Sequence, residues 1–170
     1  MTSNDDDARI AWLAEGNATQ ARKRIAAKGV VRHEDGRFLL VNPTYKEHWD
    51  LPGGMAEANE SPSDALVREV AEELGITVRV NRLLALDWIG PHGPWDDQIV
   101  FMFDTEVLTS DATANLEITD KEISDFGFFS LQDAKRHLRG DVAARLERAV
   151  RAIETNGTHY TESHDPGERT

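Results

Sequence analysis

The 170-residue chain has no cysteine, no long apolar run and comparatively little positive charge, with 19 lysines and arginines against 31 acidic residues. Without cysteine there is no disulfide framework and no thiolate to offer a soft metal site. A formal net charge of −12 argues against a nucleic-acid partner, because affinity for DNA or RNA rests on neutralising phosphates with lysine and arginine. No apolar stretch approaches the roughly 20 residues of a membrane-spanning helix, and the N-terminus lacks a basic-then-apolar secretory pattern. The expectation is a soluble, cytoplasmic, single-core protein, in which the glycosylation patterns at Asn17-Ala18-Thr19 and Asn156-Gly157-Thr158 are chance.

What the chain does have is concentrated between Gly54 and Ile76. Ser61, Pro62 and Asp64 read as an N-cap, a proline at the first helical position and a capping-box acid, and Gly75 is placed to end the helix. The spacing therefore predicts a helix over about 62–74. At about 100° per residue, Leu66, Val67, Val70, Ala71 and Leu74 share one arc, and Glu69, Glu72 and Glu73 gather on the opposite one around Ala65. No lysine lies within the segment to neutralise those acids. Glu69 and Glu73 form a like-charge i, i+4 pair, and Glu72 and Glu73 sit in the last turn, where the helix dipole disfavours anions by about 0.3–1 kcal/mol. A divalent cation would reverse both penalties, and hard oxygen ligands suit magnesium or manganese.

As a template the segment is Gly54, five residues, Glu60, seven residues, then Arg68-Glu69-Val70-Ala71-Glu72-Glu73-Leu74-Gly75-Ile76. It resembles the Nudix box at every specified position, an accidental match being rarer than about one in ten million at a given start. The resemblance implies an α/β fold, the Nudix α/β/α sandwich around a mixed β-sheet, with an N-terminal helix appended. It also implies hydrolysis of a nucleoside diphosphate linked to another group, with magnesium or manganese held by the Gly53 carbonyl, Glu69, Glu72 and Glu73. Arg68 would orient Glu69, and Gly54 and Glu60 would brace the loop against the helix. The general base is Glu69 in some members and a glutamate from a later loop in others; Glu122, in Lys121-Glu122-Ile123, resembles that later position and is carried as both a catalytic and a metal-ligand candidate. Isopentenyl diphosphate isomerase shares the fold, but its catalytic cysteine has no counterpart here. A non-catalytic nucleotide-binding module would commonly have lost box glutamates, and a spaced calcium loop is not present.

Residues 1–25 read as a helical extension, with a helix from Asp5 to Arg24 carrying Ile10, Leu13 and Ala21 inward. Residues 26–155 form the candidate hydrolase domain, and 156–170 a polar, disordered tail. Within the domain, 26–33 and 37–41 suggest a hairpin around Asp35-Gly36, and 78–88, 98–107 and 123–129 suggest strands. Ser130 and Asp133 cap a short helix, and Asp141 opens an amphipathic one through Ile153. Substrate choice is expected at the breaker-rich loop 89–97, where His92 and Trp95 are candidate contacts to the base, while Trp49 and Trp88 read as core. The partner is then a small nucleoside diphosphate derivative; the chain's compactness leans toward nucleoside triphosphates, including oxidised ones, and Pro91, fifteen residues past the box, matches ADP-ribose-cleaving members. Family members are often homodimers.

Overall fold

The computed structural model describes residues 3–164. Helix α1 (Ser3–Thr19) precedes strands β1 (Arg24–Val30) and β2 (Phe38–Pro43), and α2 (Pro62–Leu74) follows. Then come β3 (Val80–Ile89), β4 (Gln98–Thr105), α3 (Ser110–Thr113), β5 (Ile123–Phe129), α4 (Leu131–His137), α5 (Gly140–Thr155) and β6 (His159–Ser163). The main sheet runs β1-β4-β3-β6, with β1 parallel to β4, β4 antiparallel to β3, and β3 parallel to β6; β2 and β5 form a separate antiparallel pair. Alternation along β1 sends Ala26 and Val30 to one face of the sheet and Ala27 to the other. On the first face Leu146, Ala149 and Ala152 of α5 pack against Ala85, Val100 and Met102; on the second, Leu66, Val70 and Leu74 of α2 pack with Ala27, Val31 and Phe103. That is the expected α/β/α sandwich around a mixed sheet.

Four sequence expectations are corrected. The turn at Asp35-Gly36 is present, with His33 N–H donating to the Arg37 carbonyl at 2.8 Å, but the strands beyond it part company: β1 joins β4 while β2 joins β5. The residues of helix α1 whose exposure is described all face outward, Ile10 62% exposed and Leu13 50%, and Ala21 lies past its end, exposed. The supposed tail contains β6, whose register Ala85↔His159 to Ile89↔Ser163 completes the sheet edge; residues 165–170 lie outside the described part of the chain. Backbone pairing along β3 orders a polar segment that its composition alone does not predict. Finally, Ala65, placed at the centre of the acidic arc of α2, is fully buried. Glu69 and Glu73 are accordingly half-buried against the protein, while Glu72, its side chain 54% exposed, stays toward solvent.

Candidate functional site

Ser61 caps α2 by accepting from Asp64 N–H at 3.2 Å, Pro62 occupies the first turn, and Gly75 ends the helix in the left-handed region at φ 69°. These fix the helix against the outer edge of β1, where the preceding loop is itself paired. Ala27 N–H donates to the Gly54 carbonyl, Gly29 N–H to Pro52 and Ala56 N–H to Ile25, each at 2.9 Å. Two glycines are needed there for different reasons. Gly53 has φ 109°, and a Cβ on it would lie 2.3 Å from the Ala27 carbonyl oxygen; a Cβ on Gly54 would lie 2.5 Å from the Glu69 carboxylate. Glu69 is thus seated against the Gly54 backbone, and Gly53 N–H donates to Glu73 Oε2 at 3.2 Å.

Arg68 is the hub of the acidic side. Its Nε and one Nη donate to the two Glu60 oxygens at 2.8 and 2.9 Å, the same Nη reaches the Met55 carbonyl at 3.0 Å, and the other Nη reaches Glu69 at 3.1 Å and Glu72 at 2.9 Å. The bidentate pair holds Glu60 at about 2, with the Glu57 N–H adding to it, and keeps Arg68 charged. Glu60 is thus tied to Glu57 of the box loop and to Arg68 of α2, and the acidic arc is partly compensated by Arg68. The charge left over is deeper: burial pushes Glu73 up to about 7 despite the attraction of Lys28 and the Gly53 hydrogen bond, and burial also raises Glu69 against the pull of Arg68.

Lys28, on the cavity-facing side of β1, was not singled out by sequence. Its ammonium donates to the Gly53 carbonyl, to the Leu51 carbonyl at 3.1 Å, and pairs with Asp50 at 3.1 Å. Burial alone would lower its pKa, but Asp50 and Glu73 more than offset that. A lysine among small and branched residues at an inward strand position, Ala26-x-Lys28-x-Val30, is the signal that was available. Asp50 also receives Lys46 at 2.5 Å.

The divalent ion implied by the box fits this arrangement on two observations. Glu73 is a half-buried carboxyl short of positive charge, and the Gly53 carbonyl already faces a cation, the Lys28 ammonium. Among the described residues no three acidic or histidine side chains converge into a ready-made ion cage. Magnesium needs only one or two carboxylates, with the remaining positions filled by water and substrate phosphate. Gly53, Glu69 and Glu73 converge. Glu72 is turned toward Arg68 in the last turns of the helix, and Glu122 is exposed beyond Tyr45, within electrostatic reach of the same tyrosine as Glu73.

Lys28, Asp50 and Leu51 also line a cavity of about 640 Å³ between the sheet and α5. Trp49, Ile89, Val100 and Met102 give it an apolar wall, and Arg139, Asp141 and Arg145 a charged one. Trp49, expected in the core, packs edge-on to Phe129 with ring centroids 5.1 Å apart while its other side lines this cavity. The loop 89–97 is folded on itself by reciprocal backbone bonds of 3.0 Å between His92 and Trp95. His92 lines the cavity; Trp95 points away, 55% exposed, under the Arg24 guanidinium at 4.6 Å. Trp88 stays in its strand, donating its indole N–H to Asp97 at 2.8 Å.

Comparison with known proteins agrees with this geometry. The chain is 44% identical over 59 residues to a MutT-like protein of Streptomyces ambofaciens, covering 35% of this chain and 38% of that protein. It is 29% identical over 104 residues to an ADP-ribose pyrophosphatase of Methanocaldococcus jannaschii, covering 59% and 61%. The matches thus span between about two fifths and three fifths of those relatives' lengths. A MutT protein from Methanosarcina mazei superposes with a TM-score of 0.66 at 24% identity, over 79% of this chain and 99% of that one, a likeness of fold. The NUDIX domain model matches residues 22–152, a span that begins just before β1 and ends in α5, and by that match the chain belongs to the NUDIX family.

Proposed function

We propose that the protein is a magnesium- or manganese-dependent pyrophosphohydrolase that cleaves the diphosphate of a nucleoside diphosphate linked to another group. The observation that carries this reading is the meeting of the Gly53 carbonyl, Glu69 and Glu73 with the cationic end of a cavity large enough for a nucleotide. When bound, the metal supplies charge withdrawal from the attacked phosphorus and a more acidic water. The chain's own part is to hold and place. Gly53, Glu69 and Glu73 would hold the ion, with Glu72 as a further ligand from the same helix. Arg68 fixes the Glu69 carboxylate, whose burial raises its affinity for a proton and suits it to accept one from the attacking water. Glu122, exposed and one tyrosine away, is the second candidate for that proton. Lys28 and Lys46 neutralise substrate phosphate, and Trp49 with the apolar wall takes the base, His92 closing the rim.

The reading leans toward nucleoside triphosphates. A second reading, ADP-ribose or another nucleotide sugar, is supported by the activity named for the Methanocaldococcus relative and by Pro91. A panel of nucleoside triphosphates, ADP-ribose and nucleotide sugars, assayed with magnesium and with manganese and with both products identified, decides between them. Release of a nucleoside monophosphate is expected; no turnover of any member with either metal refutes the hydrolase reading.

A further inference from the structure

The wall of the cavity built from the start of α5 carries more positive charge than its own packing requires. Asp87 is fully buried and accepts from Arg145 Nε at 2.9 Å, from Arg148 at 2.7 Å and from the Thr161 hydroxyl. Asp141 accepts from Arg139 at 2.5 and 2.7 Å, and pairs with Arg145 at 3.1 Å. Three guanidiniums thus share two carboxylates, in a wall that runs from the Arg145 side chain, only 9% exposed, out to Arg139 at its mouth, 66% exposed. Buried charge is costly unless matched. The lining as a whole has four cationic side chains, Lys28, Lys46, Arg139 and Arg145, against two carboxylates, in a chain whose net charge is −12. An ion-pair network that only held α5 to the sheet would need one guanidinium for Asp87. Arg139 contributes nothing to that tie and instead stands at the cavity, and as the N-cap residue of α5 it makes no side-chain cap.

We infer that the Arg139–Asp141–Arg145 wall receives a phosphate group of the substrate that is separate from the scissile diphosphate. Planar guanidinium forks match phosphate oxygens two at a time, and an incoming phosphate would complete the wall's charge balance in competition with Asp141. The substrate class is a nucleotide derivative with either a third phosphate in its chain or a phosphate monoester on the part remote from the cleaved bond. This rests on the hydrolase reading for where the diphosphate lies, and its test is arranged to fail separately.

The test is calorimetric titration of the full chain in chelator, where nothing is turned over, with two ligand pairs: GTP against GDP, and NADP against NAD. Wild type is expected to bind one phosphate-rich member at least about tenfold more tightly than its partner, the range of a charge-assisted hydrogen bond; the pair that shows it identifies the group as chain phosphate or monoester. In Arg139→Gln that ratio should fall toward one. In Asp141→Asn it should rise while Tm falls, whereas a purely structural ion pair would lower Tm and leave the ratio alone. No preference in either pair, a ratio unmoved by Arg139→Gln, or no binding of any member overturns the inference. Turnover without preference sinks the inference alone, and preference without turnover when magnesium is restored sinks the hydrolase reading alone.

Discussion

Replacing Glu73 by glutamine separates the fold's interest from the function's. In the metal-free protein the half-buried Glu73 carboxyl is pushed up from its usual 4.5 to about 7, because burial penalises the anion more than Lys28 and the Gly53 N–H favour it. At about 1.4 kcal/mol per tenfold change in proton affinity, the charged form costs the fold up to about 3 kcal/mol. The folded value lies above the unfolded one, so the stabilising preference for the proton is complete below about pH 4.5 and gone above about pH 7. Glutamine keeps an oxygen to accept from Gly53 and has no charge to bury. In chelator, then, Glu73→Gln should match wild type in Tm near pH 4.5 and exceed it by up to about 5–10 °C at pH 8, the conversion appropriate to a domain of this size. Scanning calorimetry across that interval is the assay. Parallel Tm curves, or a variant less stable at pH 8, would refute the reasoning that Glu73 is short of positive charge. With magnesium the order should invert, and kcat of the variant should fall by orders of magnitude.

Magnesium should raise the Tm of wild type by mass action and do so much less for Glu69→Gln combined with Glu73→Gln, read by a melting titration against metal concentration. Gly54→Ala, whose new methyl meets only the movable end of Glu69 at 2.5 Å, should keep the fold and lose kcat; Gly53→Ala, which meets the Ala27 carbonyl at 2.3 Å with φ at 109°, should unfold more readily, by roughly 1–3 kcal/mol in denaturant titration. Deleting residues 1–20 should leave Tm close to that of the full chain, since Ile10, Trp12 and Leu13 are exposed on α1. Trp95→Ala should leave KM essentially unchanged for the best substrate, because the ring lies on Arg24 outside the cavity; a large rise in KM would place the base there after all.

The box helix was legible almost to the residue, because each of its boundaries is set by local chemistry: a serine cap, a proline and a left-handed glycine. The strands were legible in position but not in partnership. Asp35-Gly36 announces a turn, yet nothing local says that β1 and β2 will join different sheets. The same limit hid Lys28. Its place beside Gly53 depends on the box loop pairing along β1, a contact between distant segments, and only its odd position in an apolar strand gave notice. Nothing local marked Arg139 or Arg145, since Asp87, to which Arg145 is tied, lies far away in the chain on β3. In the opposite direction, Ile10 and Leu13 suggested burial, yet both are exposed on α1.

The two parallel ladders join residues as remote as Arg24 with Gln98 and Ala85 with His159, whereas β3 and β4 meet across the short span from Ile89 to Gln98. Closing a long loop is entropically slower to repay than closing a short one, so the β3–β4 pair is the natural place for assembly to start, with β1 and β6 docking on its two sides afterwards. Ala26 and Lys28 on one late strand, and Ser163 at the end of the other, line the same cavity. The cavity therefore comes into existence only when both edges have arrived. A ligand seated in it would hold together contacts that the rate-limiting state for folding has not made, and would show itself as slower unfolding with the refolding rate unchanged.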